Sequence, residues 1–316
     1  MSKLPIDVSV VIISYNTKAL LLDSIQSVYE TKNELNVEIF VVDNASSDDS
    51  VAAVKKEFPD VCVIENNTNK GFAAANNQAF RQMNGEFALL LNSDAFLQKN
   101  ALSKMVSYMQ HHPRAGIVCG QLLNTDGSKQ TSVATPPSIL GLLVNERLLR
   151  FFWPKKYPSK YRTYSEPVSM PSCIGACMLV REKAMDEVGL LDERYFFFME
   201  ETDWAKTFSL AGWNIVFLPD AYTIHAQGKS VGPSVLGRKY FYRSRYLYFE
   251  KWYGDKLPVY AMIVFVRLLC NFILTGLGVL VTFGQAKGLL HRCKVYKELI
   301  AWHLAGCPDL ARKTGT

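Results

Sequence analysis

No two cysteines in this sequence are separated by two residues, so the spacing of a zinc ribbon or a redox dithiol is missing. The seven cysteines, Cys62, Cys119, Cys173, Cys177, Cys270, Cys293 and Cys307, are odd in number and scattered. Several stand in apolar runs, where a thiol behaves as a small hydrophobe, and the pattern fits a reducing compartment. The N-terminus lacks the charged-then-apolar layout of a secretory leader. Internal repeats and low-complexity tracts are also missing, which leaves a solenoid or a flexible array without support. Charged residues are sparse at 20%, but 49% of the chain is hydrophobic, which argues against wholesale disorder.

What is present suits one large α/β domain with an appendage, or two modest domains, within 316 residues. The net charge of +6 is unevenly spread. From Gly237 onward there are 13 Lys/Arg and 4 Asp/Glu, a balance of +9; the preceding part holds 22 against 25, a balance of −3. An acidic body with a basic, aromatic tail points to a polyanion at the tail. The apolar run inside that tail favours anionic lipid over nucleic acid.

β-Branched and apolar runs predict strands over 8–14, 37–43, 61–64, 87–92 and 115–119. Helices are expected over 18–32, from the cap-rich segment at Asn44 to about 58, over 71–83 and over 99–111. This alternation implies a doubly wound, mostly parallel sheet. Such sheets bind ligands at the carboxyl ends of their strands. The polar residues there are Ser14, Tyr15 and Asn16, then Asp43 and Asn44, then Asn92, Ser93 and Asp94. From 121 to 171 the pattern weakens, and prolines with Lys155, Lys156, Lys160 and Arg162 suggest a long loop or lid.

Four constellations could support chemistry, and each also has a plain structural reading. Asp94 leaves a buried strand, where a carboxylate can hold a divalent cation that grips a diphosphate; it can equally cap the next helix. Glu200, Glu201 and Asp203 follow a run of aromatics and precede Trp204. Desolvation there can raise a carboxyl toward the range of a general base, yet acids also favour a helix N-terminus. His225 precedes Gly228, Lys229 and Ser230, without the spacing of a Walker loop; a lone histidine is more often structural. Lys70 and Gly71 open a helix and suit a diphosphate, or form an ordinary helix start.

The order of these pieces is more informative than any one of them. VVIISYN, VVDNASSDDS, NKGFAAANNQAF, LLLNSDAF, IGACMLVREKAMDEVGLLDE, FFFMEETDWAKTFSLAGW and the His225 segment together resemble the family 2 glycosyltransferases of the GT-A fold. Within that family the chain is similar to rhamnosyltransferase-like bacterial enzymes of cell-surface polysaccharide synthesis. The resemblance implies a GT-A catalytic domain over 1–236 and a helical, apolar, basic membrane-associating segment over 237–316. It implies an inverting transfer from a nucleotide sugar, first of all dTDP-rhamnose, to a hydroxyl of a glycan or lipid-linked glycan. Ser14, Tyr15, Asn16, Asp43, Lys70, Gly71, Asn92 and Ser93 would line the donor site, with Asp43 reading the base. Asn92 and Asp94 match the family's DxD metal motif. The first acid is Asn here, so Asp94 would bear most of the charge on a Mg or Mn ion. His225 matches a metal ligand of some members. Glu201 matches the catalytic base, with Glu200, Asp203 and Trp204 as secondary candidates. The alternatives are a nucleotide-sugar-binding protein without transfer activity, and a nucleotidyltransferase.

The tail opens with aromatics interleaved with Arg and Lys over 240–253. These can stack on single-stranded RNA, pack on the body or meet a membrane interface. The apolar run 258–283 is long enough to span a bilayer at about 20 residues, although Arg267 interrupts it. The expected setting is the cytoplasmic face of a bacterial inner membrane, with peripheral, monotopic or single-span attachment and no nucleic-acid partner.

Overall fold

The computed structural model describes residues 5–154, 157, 163–226, 234–308 and 310. Gly228, Lys229 and Ser230 lie outside the described residues, as do Lys155, Lys156, Lys160 and Arg162 of the expected lid. The chain divides into two compact units, one formed mainly by 1–136 with 146–230, the other by 137–145 with 231–314.

The first unit is built on one mixed sheet. Its strands are β1 (Val8–Ser14), β2 (Val37–Asp43), β3 (Cys62–Glu65), β4 (Phe87–Asn92), β5 (Ala95–Leu97), β6 (Ala115–Leu123), β7 (Val168–Ser169), β8 (Cys177–Arg181) and β9 (Asn214–His225). The spatial order is β3-β2-β1-β4-β8-β6-β9-β5, with β7 also pairing β9. The four N-terminal strands run parallel. β8 is antiparallel to both β4 and β6, whereas β6 and β9 are parallel to each other. Central strands covered on both faces need apolar residues throughout, which is what VSVVIIS and FALLLN provide.

The helices α1 (Lys18–Thr31), α2 (Ser50–Glu57), α3 (Phe72–Phe80), α4 (Ala101–His111), α5 (Ile139–Leu143), α6 (Glu146–Phe152), α7 (Glu182–Val188) and α8 (Glu200–Leu210) follow in chain order. Side chains alternate across a strand, and the core is accordingly double. Val10, Ile12, Leu89 and Leu91 pack with Leu21 and Ile25 of α1 and Met105 of α4. Val11, Leu90 and Ile117 pack with Ala73, Ala75 and Phe80 of α3 and Trp204 and Phe208 of α8. The sheet is therefore wound on both faces, as the resemblance implies.

Several boundaries differ from expectation for local reasons. α2 begins at Ser50, the last residue of the cap-rich segment that opens at Asn44, so the acids of that segment precede the first turn. Asp48 accepts N–H bonds from Lys18 and Ser50, so the acids order a loop ahead of the helix. β6 continues to Leu123 through a register shift at Gly120 and Gln121. A side chain at Gly120 would sit 2.1 Å from the Ala221 carbonyl oxygen, so only glycine permits that approach. Between 121 and 171 lie α5, α6 and β7, all too short to leave a periodic signal.

The second unit holds α5 with α9 (Val235–Tyr253), α10 (Leu257–Val281) and α11 (Lys287–Leu304). Its aromatics pack inward. Phe249 stacks on Tyr260 with centroids 3.6 Å apart, and the Tyr246 hydroxyl and His303 Nε2 lie 2.7 Å apart. Arg245 lies over the rings of Phe241 and Tyr260. Tyr246, Tyr248 and Phe249 are thus buried within the helical unit, not displayed as a platform for RNA bases. α10 buries Tyr260, Val264 and Leu268 along one stripe and exposes Met262, Val266, Leu269, Ile273, Leu277 and Leu280 along another. It is long and apolar enough to cross a membrane. Arg267 donates to the Leu142 carbonyl of α5, which gives this charge in an apolar helix a backbone partner.

Candidate functional site

The strand register places the ends of β1, β2 and β4 side by side, with Ser14 opposite Asp43 and Ile13 opposite Asn92. The loop after β1 turns at Asn16, which adopts a positive φ of 54°. Its side-chain oxygen accepts from the Ser47 N–H at 2.7 Å, and its own N–H donates to Ser46 Oγ at 2.9 Å. Two loops are thereby tied into one rim, with Tyr15 exposed upon it. Asp43 is buried. Its Oδ2 accepts from the Ser46 N–H at 2.9 Å, while Oδ1 has no hydrogen-bond partner among the described residues. A buried carboxylate oxygen is costly to leave unmet, and an N–H donor from a bound base would satisfy it. Ser14 is engaged with Thr17, whose hydroxyl donates to Ser93 Oγ at 2.9 Å.

Asn44 joins this rim to the start of α3. Its side-chain oxygen accepts from the Lys70 N–H at 3.3 Å, and its amide donates to the Gly71 carbonyl at 3.3 Å. The Lys70 side chain is exposed. Gly71 has φ +82°, and a Cβ there would lie 2.4 Å from the Phe196 carbonyl oxygen. That oxygen accepts the Phe72 N–H at 2.9 Å. The glycine thus lets the chain before α8 close onto α3.

Asp94 and His225 come together because β5, which starts one residue after Asp94, pairs antiparallel with β9 and sets Ala95 opposite His225. His225 Nε2 lies 3.3 Å from Asp94 Oδ1, and both side chains are buried. Asn92 Nδ2 is 3.5 Å from the same ring nitrogen. On the other side, His225 Nδ1 is 2.7 Å from Gln130 Oε1. The Gln130 amide nitrogen donates to Asn124 Oδ1 and to the His225 carbonyl, so its oxygen must accept. Nδ1 therefore bears a proton, which leaves Nε2 as the ring atom that can offer a lone pair on the carboxylate side when a cation binds. Two electron-rich atoms facing each other in a buried pocket suit a cation between them, and the outer hydrogen bond is the kind that orients a metal-bound histidine. The donor set thus fits a divalent ion. Among the described residues no third His, Cys, Asp or Glu joins the pair, so further ligands would come from substrate oxygens and water.

The acid cluster opens α8. Phe198 and Met199 both have positive φ, 69° and 71°, a strained turn immediately before Glu200. Asn77 of α3 braces this region by accepting the Leu191 N–H and donating to the Leu191 carbonyl. Glu200 is buried, and burial together with the Glu201 charge holds its carboxyl well above the usual range. Burial pushes Glu201 up to about 7, against hydrogen bonds from its own backbone and Thr202. Glu201 keeps partial solvent access, unlike Glu200, Asp203 and Trp204. Asp203 accepts from the Tyr195 hydroxyl at 3.3 Å. Trp204 stacks on Phe80, meets Phe208 edge-on and donates its indole N–H to the Gly189 carbonyl, which places it in the core.

A short segment links the two clusters. The Ala176 carbonyl accepts the Asn92 N–H, and the adjoining Gly175 lies against the Glu201 side chain and the Phe72 ring. Asn92 and Glu201 therefore share one contiguous set of contacts, with Asp94 two residues after Asn92 and the His225 ring 3.5 Å from the Asn92 amide, while Asp43 ends the strand on the far side of β1. Sequence reasoning missed Gln130 and Thr17, and it placed Asn44 at a strand end without its bonds to Lys70 and Gly71.

A family model described as "Glycosyl transferase family 2" matches residues 9–189. Over 217 residues the chain is 30% identical to the N-acetylglucosaminyl-diphospho-decaprenol L-rhamnosyltransferase of Mycobacterium tuberculosis (strain CDC 1551 / Oshkosh), covering 63% of this chain and 69% of that one. Among solved structures it is similar to the mannosyltransferase PcManGT from Pyrobaculum calidifontis in complex with GDP-Man and Mn2+. That match has a TM-score of 0.54 and 18% identity over 96% of this chain and 87% of the other. GalNAc-T7 with UDP, GalNAc and Mn2+ matches at TM-score 0.54 and 17% identity over 77% of this chain, which spans 48% of that longer one. At these identities the solved structures speak for the fold alone.

Proposed function

This chain belongs to glycosyl transferase family 2, and within that family we propose that it transfers one sugar, with inversion, from a nucleotide donor to a hydroxyl of a lipid-linked glycan. Membership makes it a glycosyltransferase, which displaces the nucleotidyltransferase alternative. The observation that favours this reading is the buried pairing of Asp94 with His225, together with an unmet buried carboxylate oxygen on Asp43 at the carboxyl end of β2. Asp43 Oδ1 would accept the imide N–H of a pyrimidine base, and Tyr15 would lie beside it. Asp94 and His225 would hold a divalent cation, which when bound supplies positive charge to a diphosphate. Gln130 keeps the His225 lone pair directed at that position. Lys70 extends from the start of α3, where its ammonium can add to the neutralisation of the leaving group.

Glu201 takes the acceptor proton. A carboxyl raised to about 7 is substantially ionised at neutral pH and yet basic enough to accept a proton as the acceptor oxygen attacks the anomeric carbon. The C–O bond to the acceptor forms as the bond to the nucleoside diphosphate breaks. One displacement inverts the centre and needs no covalent enzyme intermediate. The named activity of the mycobacterial relative makes rhamnose the first sugar to test, supplied as dTDP-rhamnose, and a diphospholipid-linked sugar the first acceptor. The exposed apolar stripe of α10 would keep the enzyme at the membrane that holds such an acceptor.

The test is thermal stabilisation of the full chain by a panel of nucleotide sugars, with and without Mn2+ or Mg2+. A metal-dependent shift with dTDP-rhamnose, lost in Asp94→Ala, is expected. A shift only with another nucleotide sugar would replace the donor; no shift with any of them would remove the transfer reading.

A further inference from the structure

We propose that α6 and the residue after it form a second lipid-contacting element, an aromatic finger on the catalytic unit that seats in the headgroup layer of an anionic bilayer. α6 is held down by Leu149, which is 1% exposed, and the chain returns to the body at Tyr157, which is 4% exposed. Between and beside these anchors Leu148, Phe151, Phe152 and Trp153 stand out at 53%, 79%, 62% and 52% exposure. Backbone bonds tie the described residues together, since the Trp153 N–H donates to the Leu149 carbonyl and the Tyr157 N–H to the Trp153 carbonyl. Phe152 touches Phe151 edge-on and lies tilted beside Trp153, so the three rings form one surface.

A ring cluster fixed at both ends and facing water loses hydrophobic stabilisation unless something covers it. Two features select a lipid surface. Trp and Phe settle at the boundary between headgroups and acyl chains. The sequence 146–162 also contains six Lys or Arg and one Glu, which matches anionic headgroups and repels a second copy of itself. Area argues the same way. Aromatic side chains bury about 150–250 Å² each, and these are already partly covered. The cluster therefore falls short of the about 800 Å² per partner of a stable dimer. The inference does not rest on α10 or on the donor, because a different side chain reports it.

The full-length protein is mixed with vesicles of phosphatidylglycerol and phosphatidylcholine bearing brominated acyl chains, and tryptophan emission is recorded for wild type and Trp153→Phe. Wild type should show a quenched component that Trp153→Phe lacks entirely. The double change Phe151→Ser and Phe152→Ser should weaken the quenching of Trp153 at unchanged thermal midpoint, since both rings are exposed. Equal quenching of wild type and Trp153→Phe would overturn the proposal. Equal quenching in vesicles of phosphatidylcholine alone would remove the anionic surface as the partner. A dimer that Phe151→Ser and Phe152→Ser dissociates, without quenching, would assign the face to a second copy. Co-sedimentation of every variant with vesicles reports α10 separately, so failure of the finger and failure of the membrane anchor give different results.

Discussion

Glu201 and Glu200 are adjacent in sequence but meet different surroundings at the start of α8. Glu200 is enclosed, whereas Glu201 retains an opening to solvent beside Gly175. If Glu201 is the base, the rate follows its ionised fraction, so kcat rises with pH through about 7 and levels above it. Glu201→Gln should lower kcat by about 10² to 10⁴ with donor affinity little changed; a full rate in that variant with a loss in Asp203→Asn would move the role to Asp203. Glu200 makes a separate prediction for stability. Its folded carboxyl titrates above its unfolded value, so ionisation is penalised in the fold, and stability falls as pH rises past the ordinary carboxylate range. Glu200→Gln should therefore stabilise the protein at pH 8 and do so less at pH 5, in thermal or urea unfolding. The sequence makes Asp43, Asp94 and the acid cluster legible because each ends an apolar run or adjoins aromatics. Gln130 leaves no such trace, since it reaches His225 across 95 residues and acquires its role only when β5 and β9 pair.

At the scale of elements, long periodic segments are readable and short ones are not. α1 and α4 fall where the apolar spacing puts them. α5 and α6, five and seven residues long, do not complete enough turns to mark a face. The segment after Asn44 misleads because capping side chains serve a loop as well as a helix, and here Asp48 serves a loop. Gly71 is the element-level counterpart of this problem. In sequence it reads as a phosphate-binding glycine, while in the fold it also clears space for the Phe196 carbonyl. Gly71→Ala combines a positive φ with a 2.4 Å contact and should cost about 1–3 kcal/mol. It should also lower kcat by displacing the turn that leads into Glu201. Wild-type melting and turnover in that variant would show that the closure of this turn onto α3 is not needed.

For the molecule as a whole, the division into a sheet unit and a helical unit separates the proposed chemistry from the proposed attachment. All the candidate site residues belong to the first unit, and the long apolar helix belongs to the second. Basic side chains on α11, Lys287, Arg292, Lys294 and Lys297, flank that helix in sequence. Salt near 1 M shortens electrostatic reach to about 3 Å and would strip a protein held by charge alone. The full chain is expected to stay with membranes through such a wash and to leave with detergent. Release by salt would mean that α10 does not enter the apolar layer.

The second unit also sets an order in time. Its first helix, α5, is separated from α10 by the whole of β8, α8 and β9, and the bond from Arg267 to the Leu142 carbonyl closes a separation of 125 residues. A ribosome adding about 5–20 residues per second makes α5 many seconds before it makes the helix that receives it. The Leu142 carbonyl must wait through that interval without its Arg267 donor. The helical unit is therefore the last part of the nascent protein to close, and it can do so only once the apolar helix has emerged.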